Sequence, residues 1–164
     1  IIFMVVKSLV YHPNPLLKEV STKVDVFDSD LQVLVNNLID TMLAEDSMGL
    51  AAPQIGELKR VFVLNRKRIA GNKSKKYQAE DILCIVNPEI KFQENPIDSS
   101  EGCLSFPGRR ETVKRFNNIK LQAFNQENQS FTLGGDGMLS ILIQHEIDHL
   151  NGILFIDRKY EIAG

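Results

Sequence analysis

The segment MLSILIQHEIDHL, which runs from Met138 to Leu150, decides the fold of this chain. Apolar side chains would cover much of the circumference of a helix formed here, and such a helix is buried in the centre of a domain. Asn151 and Gly152 follow directly and form a good stop signal for a helix. The sequence therefore predicts a central, buried helix in the C-terminal part of the chain.

Apolar segments upstream of this helix have the length and composition of strands. We predict strands over residues 60–65, 82–88, 119–124 and 130–133, and a first strand over the apolar residues 1–6. Residues 47–56, SMGLAAPQIG, are predicted as a loop. Residues 66–81 carry six basic side chains, and we expect a long, mobile hairpin connection with a solvated surface. An RNA contact is less favoured, because no aromatic residue interleaves with these charges before Tyr77.

A second helix is predicted near the N-terminus. Asp28 or Ser29 can cap it, and apolar residues recur at helical spacing as far as about Ala44. We interpret this apolar stripe as core packing. The predicted fold class is α+β: antiparallel strands packed around a central C-terminal helix carrying an HExxH motif, with one amphipathic helix near the N-terminus. Residues 1–164 are expected to form a single catalytic domain.

Composition excludes several classes of protein. Hydrophobic residues make up 43% and charged residues 24%, so the chain can bury a core and global disorder is not expected. The formal net charge of −2 argues against a globally basic DNA-binding protein. No apolar run approaches the roughly 20 residues that span a bilayer. Two cysteines do not make a disulfide scaffold and favour free thiols in a reducing compartment.

The chemistry is concentrated in HEIDH, a match to HExxH. His145 and His149 are four residues apart, so they share one helical face and can bind one metal ion. Glu146 lies next to the first histidine and can act as a general base on a water molecule. The alternative is a pair of hydrogen-bonded core histidines beside a glutamate of structural importance only.

Two histidines leave a catalytic metal short of a third protein ligand. In the HExxHxxGxxH pattern the third ligand would fall on Phe155, which cannot bind, and Glu161 is the only glutamate downstream. The ligand is therefore expected upstream. Cys103, between Gly102 and a Pro-Gly turn, is the first candidate, and Cys84 is its competitor. The alternative for Cys103 is a buried, inert thiol.

Three strings resemble the three signature motifs of peptide deformylases. They are GLAAPQIG (residues 49–56), EGCLSFPG (residues 101–108) and QHEIDHLNG (residues 144–152), in the family's order and at fitting separations. The resemblance spans nearly the whole chain. The sequence departs from the family at Ser47, where glycine is usual, and at Phe106, where a smaller aliphatic residue is usual.

The resemblance implies metal-dependent hydrolysis of the N-formyl group from formyl-methionine at the N-terminus of nascent polypeptides, releasing formate. It implies three ligands for one divalent metal ion: Cys103, His145 and His149. Fe(II) is expected natively, with Zn, Ni or Co as possible substitutes. Glu146 would be the general acid and base, and the oxyanion would be stabilised by the side-chain amide of Gln54 and the backbone N–H of Leu104.

A pocket for the methionine side chain is also implied. Ile141 and Leu142 precede His145 by one helical turn, so they lie near its face of the helix. The resemblance adds Met138, Gly49 and Glu101 to the substrate-binding residues and places Arg110 at the entrance of the pocket. The alternatives are plain core packing for Met138 and an ordinary surface position for Arg110. Asp148 is expected either to orient a ligand histidine or only to cap polar groups.

The implied partners are N-formyl-methionyl peptides and nascent chains at the ribosome. Docking on the ribosome is left open, because many family members continue into a basic C-terminal helix that this sequence lacks after Tyr160. We expect a monomer in the bacterial cytoplasm, or in an organelle if a transit peptide was removed, and neither DNA nor a membrane as partner. Two competing functions are a zinc-dependent HExxH peptidase with a downstream third ligand, and a non-enzymatic metal- or formyl-peptide-binding module.

Overall fold

The computed structural model describes residues 5–162, with side chains as far as residue 158. The fold combines α-helices with five strands, which form one antiparallel sheet in the order β1-β2-β3-β4-β5. The strands are β1 (Gly49–Ala51), β2 (Val61–Asn65), β3 (Ile82–Cys103), β4 (Phe106–Phe124) and β5 (Ser130–Asp136). The α-helices are α1 (Ser29–Ala44), α2 (Arg66–Ile69), α3 (Gly137–Leu150) and α4 (Phe155–Ile162). Short 3-10 helices cover Pro15–Lys18, Ala52–Ile55 and Ala79–Asp81.

The sheet lies between α1 and α3. Successive side chains of β2 point to opposite faces, as the pleat requires. Val61 and Val63 pack with Leu38 and Met42 of α1 in one apolar cluster. Phe62 and Leu64 pack in a second cluster with Ile143 and Leu150 of α3. Every residue of β2 is buried because both faces of this strand are covered.

Helix α1 begins where the cap was predicted. The Oδ1 atom of Asp28 accepts a hydrogen bond from the backbone N–H of Leu31 at 3.0 Å, which satisfies one otherwise free donor of the first turn. Its buried residues recur at helical spacing and face the sheet. The cap and the apolar stripe therefore determine both where this helix begins and which face it buries.

The hairpin of β3 and β4 is much longer than the sequence predicted. The predicted strand 82–88 continues to Cys103, and the predicted strand 119–124 begins at Phe106. The intervening residues are mostly polar and exposed, so the apolar pattern that predicts a strand is missing there. Register shifts, the last between Gly102 and Cys103, bend the hairpin. Its tight end carries the EGCLSFPG segment.

Other parts of the fold also differ from the prediction or were not predicted. The predicted loop 47–56 contains β1 and a 3-10 helix, and the 66–81 connection contains α2 and a second 3-10 helix. Helix α4 was not predicted and follows α3 after a turn at Gly152. Of the predicted first strand, residues 1–4 lie outside the described residues, and Val5 and Val6 belong to no strand. Among the described residues, no helix combines the length and apolar character needed to cross a bilayer.

Candidate metal centre

The end of β3 and the middle of α3 bring one thiol and two imidazoles together. One ligand atom each from Cys103, His145 and His149 lies within 4.8 Å of the other two. The Sγ atom of Cys103 is 3.4 Å from Nε2 of His149, and the two imidazole centroids are 5.0 Å apart. Spacing of four residues puts both histidines on one helical face, and the strand register shifts between Gly102 and Cys103, where the thiol meets them.

These three side chains fit one metal ion. A thiolate with two imidazoles suits Fe(II), Co, Ni or Zn. The Nδ1 atom of His145 is 2.8 Å from Oε1 of Glu101, and donation of the Nδ1 proton leaves the Nε2 lone pair for a ligand bond. Both histidines are buried, and the Nδ1 atom of His149 has no hydrogen-bond partner within the described residues, which is costly for a buried polar group.

Glu146 is a buried carboxylate beside these ligands. Its Oε2 atom has no hydrogen-bond partner within the described part of the chain. Burial raises the pKa of Glu146 to about 7, so the carboxyl can both take up and release a proton near neutral pH. Gly49 makes room for it, because a Cβ atom at that position would lie 3.0 Å from Oε1 of Glu146.

The histidines differ in their charge without a metal. Burial lowers the pKa of His145, but hydrogen bonds to Cys103 and Glu101 and the nearby charge of Glu146 outweigh it and raise the pKa to about 10. Burial lowers the pKa of His149 well below its usual value, and the charge of His145 lowers it further. A metal ion must therefore displace a proton from His145, which makes metal binding pH-dependent.

Glu101 is held by a buried arginine that the sequence analysis missed. Arg115 donates from Nε to Oε2 and from Nη2 to Oε1 of Glu101, both at 2.8 Å. Burial alone would raise the pKa of Glu101, but the hydrogen bonds from Arg115 and His145 lower it to about 2. The Nη1 atom of Arg115 also donates to Oδ2 of Asp148 at 2.5 Å. Asp148 thus contacts arginine rather than a ligand histidine.

A signal for Arg115 was present in the strand pattern. Val113 points into the core, and alternation along a strand places the residue two positions later on the same face. Arg115 is only 2% exposed, so a charged side chain at an inward position of β4 marks a buried ion pair. The apolar pattern predicts a strand only over residues 119–124, so Arg115 falls outside the predicted alternation.

Gln54 lies beside the thiol in a fixed orientation. Its Oε1 atom accepts from the backbone N–H of Ala51 at 3.0 Å. Its Nε2 atom is then directed at the hydroxyl of Ser105, 3.2 Å away, and at Sγ of Cys103, 3.5 Å away. Gln54 belongs to the 3-10 helix Ala52–Ile55, and its side chain folds back onto Ala51, the residue that precedes this helix. Ser105 was not singled out from the sequence, although it belongs to the EGCLSFPG segment.

A cleft of about 830 Å³ opens above these residues. All but one of the predicted site residues line it, the exception being His149: Gly49, Gln54, Glu101, Cys103, Leu104, Arg110, Met138, Ile141, Leu142, His145 and Glu146. Met138 is 47% exposed and is therefore no core residue. Arg110 is exposed at the rim, where its Nη2 atom donates to the carbonyl of Ser100 at 2.9 Å.

Neither Cys84 nor the residue at the HExxHxxGxxH position supplies a ligand to the centre. Cys84 packs on the α1 side of the sheet, opposite α3. Phe155, in the third position of the HExxHxxGxxH pattern, packs edge to face on Phe106 with centroids 4.9 Å apart. The ring of His12 also stacks on Phe106, with centroids 4.7 Å apart. The side chain of Glu161 lies outside the described residues.

A group of one half-buried thiol and two buried imidazoles, with a carboxylate beside it and an open cleft above, is the arrangement of a metallohydrolase. The sequence profile described as Polypeptide deformylase matches residues 6–163. This chain belongs to that family, whose members are hydrolases that act on the N-formyl amide of nascent chains. The family and the Cys/His/His group support one metal ion.

Individual relatives agree with this membership. The peptide deformylase of Aquifex aeolicus is 41% identical over 154 residues, covering 93% of this chain and 87% of the relative. Peptide deformylase 1 of Clostridium perfringens is 38% identical over 156 residues, covering 95% and 99%. The crystal structure of a peptide deformylase from Legionella pneumophila matches with a TM-score of 0.85 at 37% identity, covering 96% of this chain and 90% of that one.

Proposed function

We propose that this chain hydrolyses the N-formyl group from formyl-methionine at the N-terminus of nascent polypeptides and releases formate. The observation that carries the proposal is the grouping of Cys103, His145 and His149 within 4.8 Å beside the buried Glu146. We infer that α3 serves as the HExxH helix of the family and that residues 1–164 act as one catalytic domain.

Cys103, His145 and His149 would hold the metal ion, which we expect to be Fe(II), with Zn, Ni or Co as substitutes. When bound, the ion supplies Lewis-acid chemistry, lowering the pKa of water and polarising the formyl carbonyl. Glu101 contributes by keeping the proton of His145 on Nδ1, 2.8 Å away, so that Nε2 is presented as a ligand.

Glu146 moves the proton. As water adds to the formyl carbon, the carboxylate accepts one proton from it, and the acid then returns the proton to the departing amine as the C–N bond breaks. The products are formate and a peptide with a free amino terminus. A pKa near 7 suits both directions of transfer, because the carboxyl is close to half-ionised at neutral pH.

Gln54 and Leu104 would stabilise the oxyanion that forms when water adds. The Nε2 atom of Gln54 is neutral, and hydrogen bonds to Ala51 and Ser105 hold its amide in one orientation. A donor that is already oriented requires no reorganisation as the charge develops. Leu104 lines the cleft directly after Cys103, and its backbone N–H is the second donor in this proposal.

The methionine side chain of the substrate would occupy the apolar part of the cleft. Met138, Ile141 and Leu142 line that part from α3. Gly49 and Glu101 complete the substrate-binding set, and Arg110 at the rim would contact the peptide backbone or a carboxylate. We expect the enzyme to act as a monomer on nascent chains, in the bacterial cytoplasm or an organelle.

Formate release tests the proposal. Anaerobically prepared, metal-loaded protein is incubated with formyl-Met-Ala, and acetyl-Met-Ala serves as the control substrate. We expect formate from the first peptide and negligible acetate from the second. Glu146→Ala should retain the metal and lose about 10²–10⁴-fold in rate, the usual contribution of general acid–base catalysis. A metal-loaded sample that releases no formate would overturn the proposal.

The two competing functions give different results in the same assays. A peptidase with a downstream ligand predicts that Cys103→Ala keeps its full metal content, whereas our proposal predicts that the metal is lost. A non-enzymatic binding module predicts that Glu146→Ala binds formyl-Met-Ala as the wild type does and that neither protein turns it over.

A further inference from the structure

Asp148 connects α3 to the last helix. It directly precedes His149 in sequence, yet its carboxylate contacts two arginines on other elements. Arg158 of α4 donates from Nε to Oδ2 at 2.5 Å and from Nη2 to Oδ1 at 2.7 Å. Arg115 of β4 donates to the same Oδ2 atom at 2.5 Å. One carboxylate therefore joins three elements.

A continuous series of side-chain contacts links Asp148 to the candidate metal centre. Arg115 grips Glu101 with two parallel hydrogen bonds of 2.8 Å. Glu101 in turn lies 2.8 Å from Nδ1 of His145. The order is Arg158, Asp148, Arg115, Glu101 and His145, with each charge next to its opposite.

Charge balance makes the outer arginine important. Asp148, Arg115 and Glu101 are buried, with side chains at most 6% exposed, whereas the side chain of Arg158 is 27% exposed. Asp148 and Glu101 bring two negative charges to this group, and Arg115 and Arg158 bring two positive charges. Without Arg158, the two carboxylates would share Arg115 alone, and one buried charge would lack compensation.

The loss of Arg158 would act on the pair formed by Arg115 and Glu101. The guanidinium of Arg115 is a rigid, planar fork, and its two bonds to Glu101 require one orientation. Arg158 donates to both carboxylate oxygens of Asp148. Arg115 is therefore not drawn away from Glu101 toward Asp148. An Arg115 that turned toward Asp148 would release Glu101, and the ring of His145 would lose the acceptor that fixes it.

We propose that Arg158 on α4 is a positioning residue for the metal centre, acting through Asp148, Arg115 and Glu101 on the ring of His145. The proposal rests on the metal ligands of the proposed function and adds that α4 influences how firmly they hold an ion. Groups that orient ligand histidines commonly change metal affinity 10–100-fold when removed, and Arg158 acts at a distance.

Cobalt-substituted holoprotein provides the test. The wild type, Arg158→Gln and Arg158→Lys are loaded with Co(II) and mixed with a chelator, and loss of the visible cobalt absorption is followed over time. We expect Arg158→Gln to lose cobalt about tenfold faster and its absorption bands to shift. Arg158→Lys keeps the charge but not the fork, so its rate should lie in between.

Arg60→Gln is the matched control. Arg60 also holds the end of α3, donating to the carbonyl of Leu150 at 3.1 Å and to Oδ1 of Asn151 at 2.9 Å. These hydrogen bonds involve none of the five side chains that link Arg158 to His145. Its removal should lower the melting temperature and leave the cobalt bands and dissociation rate unchanged. Equal acceleration in both variants would mean that a less stable α3 explains the effect, and the proposal would be wrong.

A double-mutant cycle adds a second criterion. In an Asp148→Asn background, Arg158→Gln should cause no further acceleration, because the path is already broken. Full acceleration in that background, or none in the wild-type background, would overturn the inference while leaving the proposed function intact. A wild-type chain that takes up no cobalt would overturn the proposed function and this inference with it.

Discussion

The Oε1 atom of Glu101 lies 2.8 Å from Nδ1 of His145 and 2.8 Å from Nη2 of Arg115. One carboxylate oxygen is thus shared by a candidate metal ligand and a buried arginine. A proton on Nδ1 of His145 that is directed at Glu101 leaves Nε2 for a metal ion, and the arginine keeps the carboxylate ionised. Glu101 lines the cleft as well, but its charged atoms are already occupied by these two partners.

Glu101→Gln should weaken metal binding about 10–100-fold, the range typical for groups that orient ligand histidines. The amide keeps the size of the side chain but loses its charge, so Arg115 would be left as a buried charge with weaker partners. Metal affinity by competition with a chelator measures the effect, and thermal unfolding measures the accompanying loss of stability. Glu45→Gln, at an exposed position on the rim of the same cleft, is the control and should change neither.

Gln54→Leu should reduce kcat by about a hundredfold or more with the metal retained, since one oxyanion donor is commonly worth that much. Ser105→Ala removes one of the partners of the Gln54 amide. It should reduce kcat only about fivefold, because one neutral hydrogen bond contributes about 1 kcal/mol. Steady-state kinetics and metal content of both variants check this. A larger effect of Ser105→Ala than of Gln54→Leu would contradict the proposed order of importance.

Two of the three candidate ligands follow from the sequence by physical reasoning. His145 and His149 are fixed relative to each other by the helix, because residues four apart lie on one face whatever the rest of the chain does. Cys103 is different, since no local rule places the last residue of β3, 42 positions upstream of His145, beside the histidines. Spacing left Cys84 as a competitor, and only the family resemblance separated the two.

The polar parts of the fold were the least predictable. Residues 89–100 of β3 are mostly exposed and charged or polar, so neither alternation nor apolar runs predict a strand there. Pairing with β4 across the hairpin holds them extended. The burial of Arg115 could not be predicted either, because its ion pairs depend on Glu101 and Asp148, which are distant in sequence.

The two cysteines should differ sharply in reactivity. Cys84 is buried, and burial raises the pKa of its thiol to about 12, whereas Cys103 is half-buried and lines the cleft. With iodoacetamide at pH 8, metal-free protein should be modified at Cys103 and not at Cys84, because the thiolate is the reactive form. Bound metal should protect Cys103. Peptide mass spectrometry identifies the modified residue, and modification of Cys84 in the folded protein would contradict the prediction.

Cys84 also makes stability depend on pH in the alkaline range. Its thiol has a pKa of 9.0 when unperturbed and about 12 in the folded chain, so above pH 9 the unfolded state binds fewer protons. The free energy of unfolding must therefore fall as the pH rises. Between pH 9 and 10 the wild type should lose about 1 kcal/mol more than Cys84→Ala. Urea unfolding of both proteins at these two pH values measures the difference, and parallel curves would count against it.

Gly152→Ala should destabilise the chain by about 3 kcal/mol, combining backbone strain with a steric clash. Gly152 has φ of 69° in the turn between α3 and α4, and a Cβ atom there would lie 2.4 Å from the carbonyl oxygen of Lys18. Backbone cannot move aside as a flexible side chain does, so either α3 or the 3-10 helix Pro15–Lys18 must shift. Gly56→Ala is the matched control, because its φ of 87° carries similar strain but nothing lies within 4 Å of the added atom. It should lose only about 1 kcal/mol. Denaturant unfolding compares the two, and equal losses would show that strain alone, without the clash, explains the glycine.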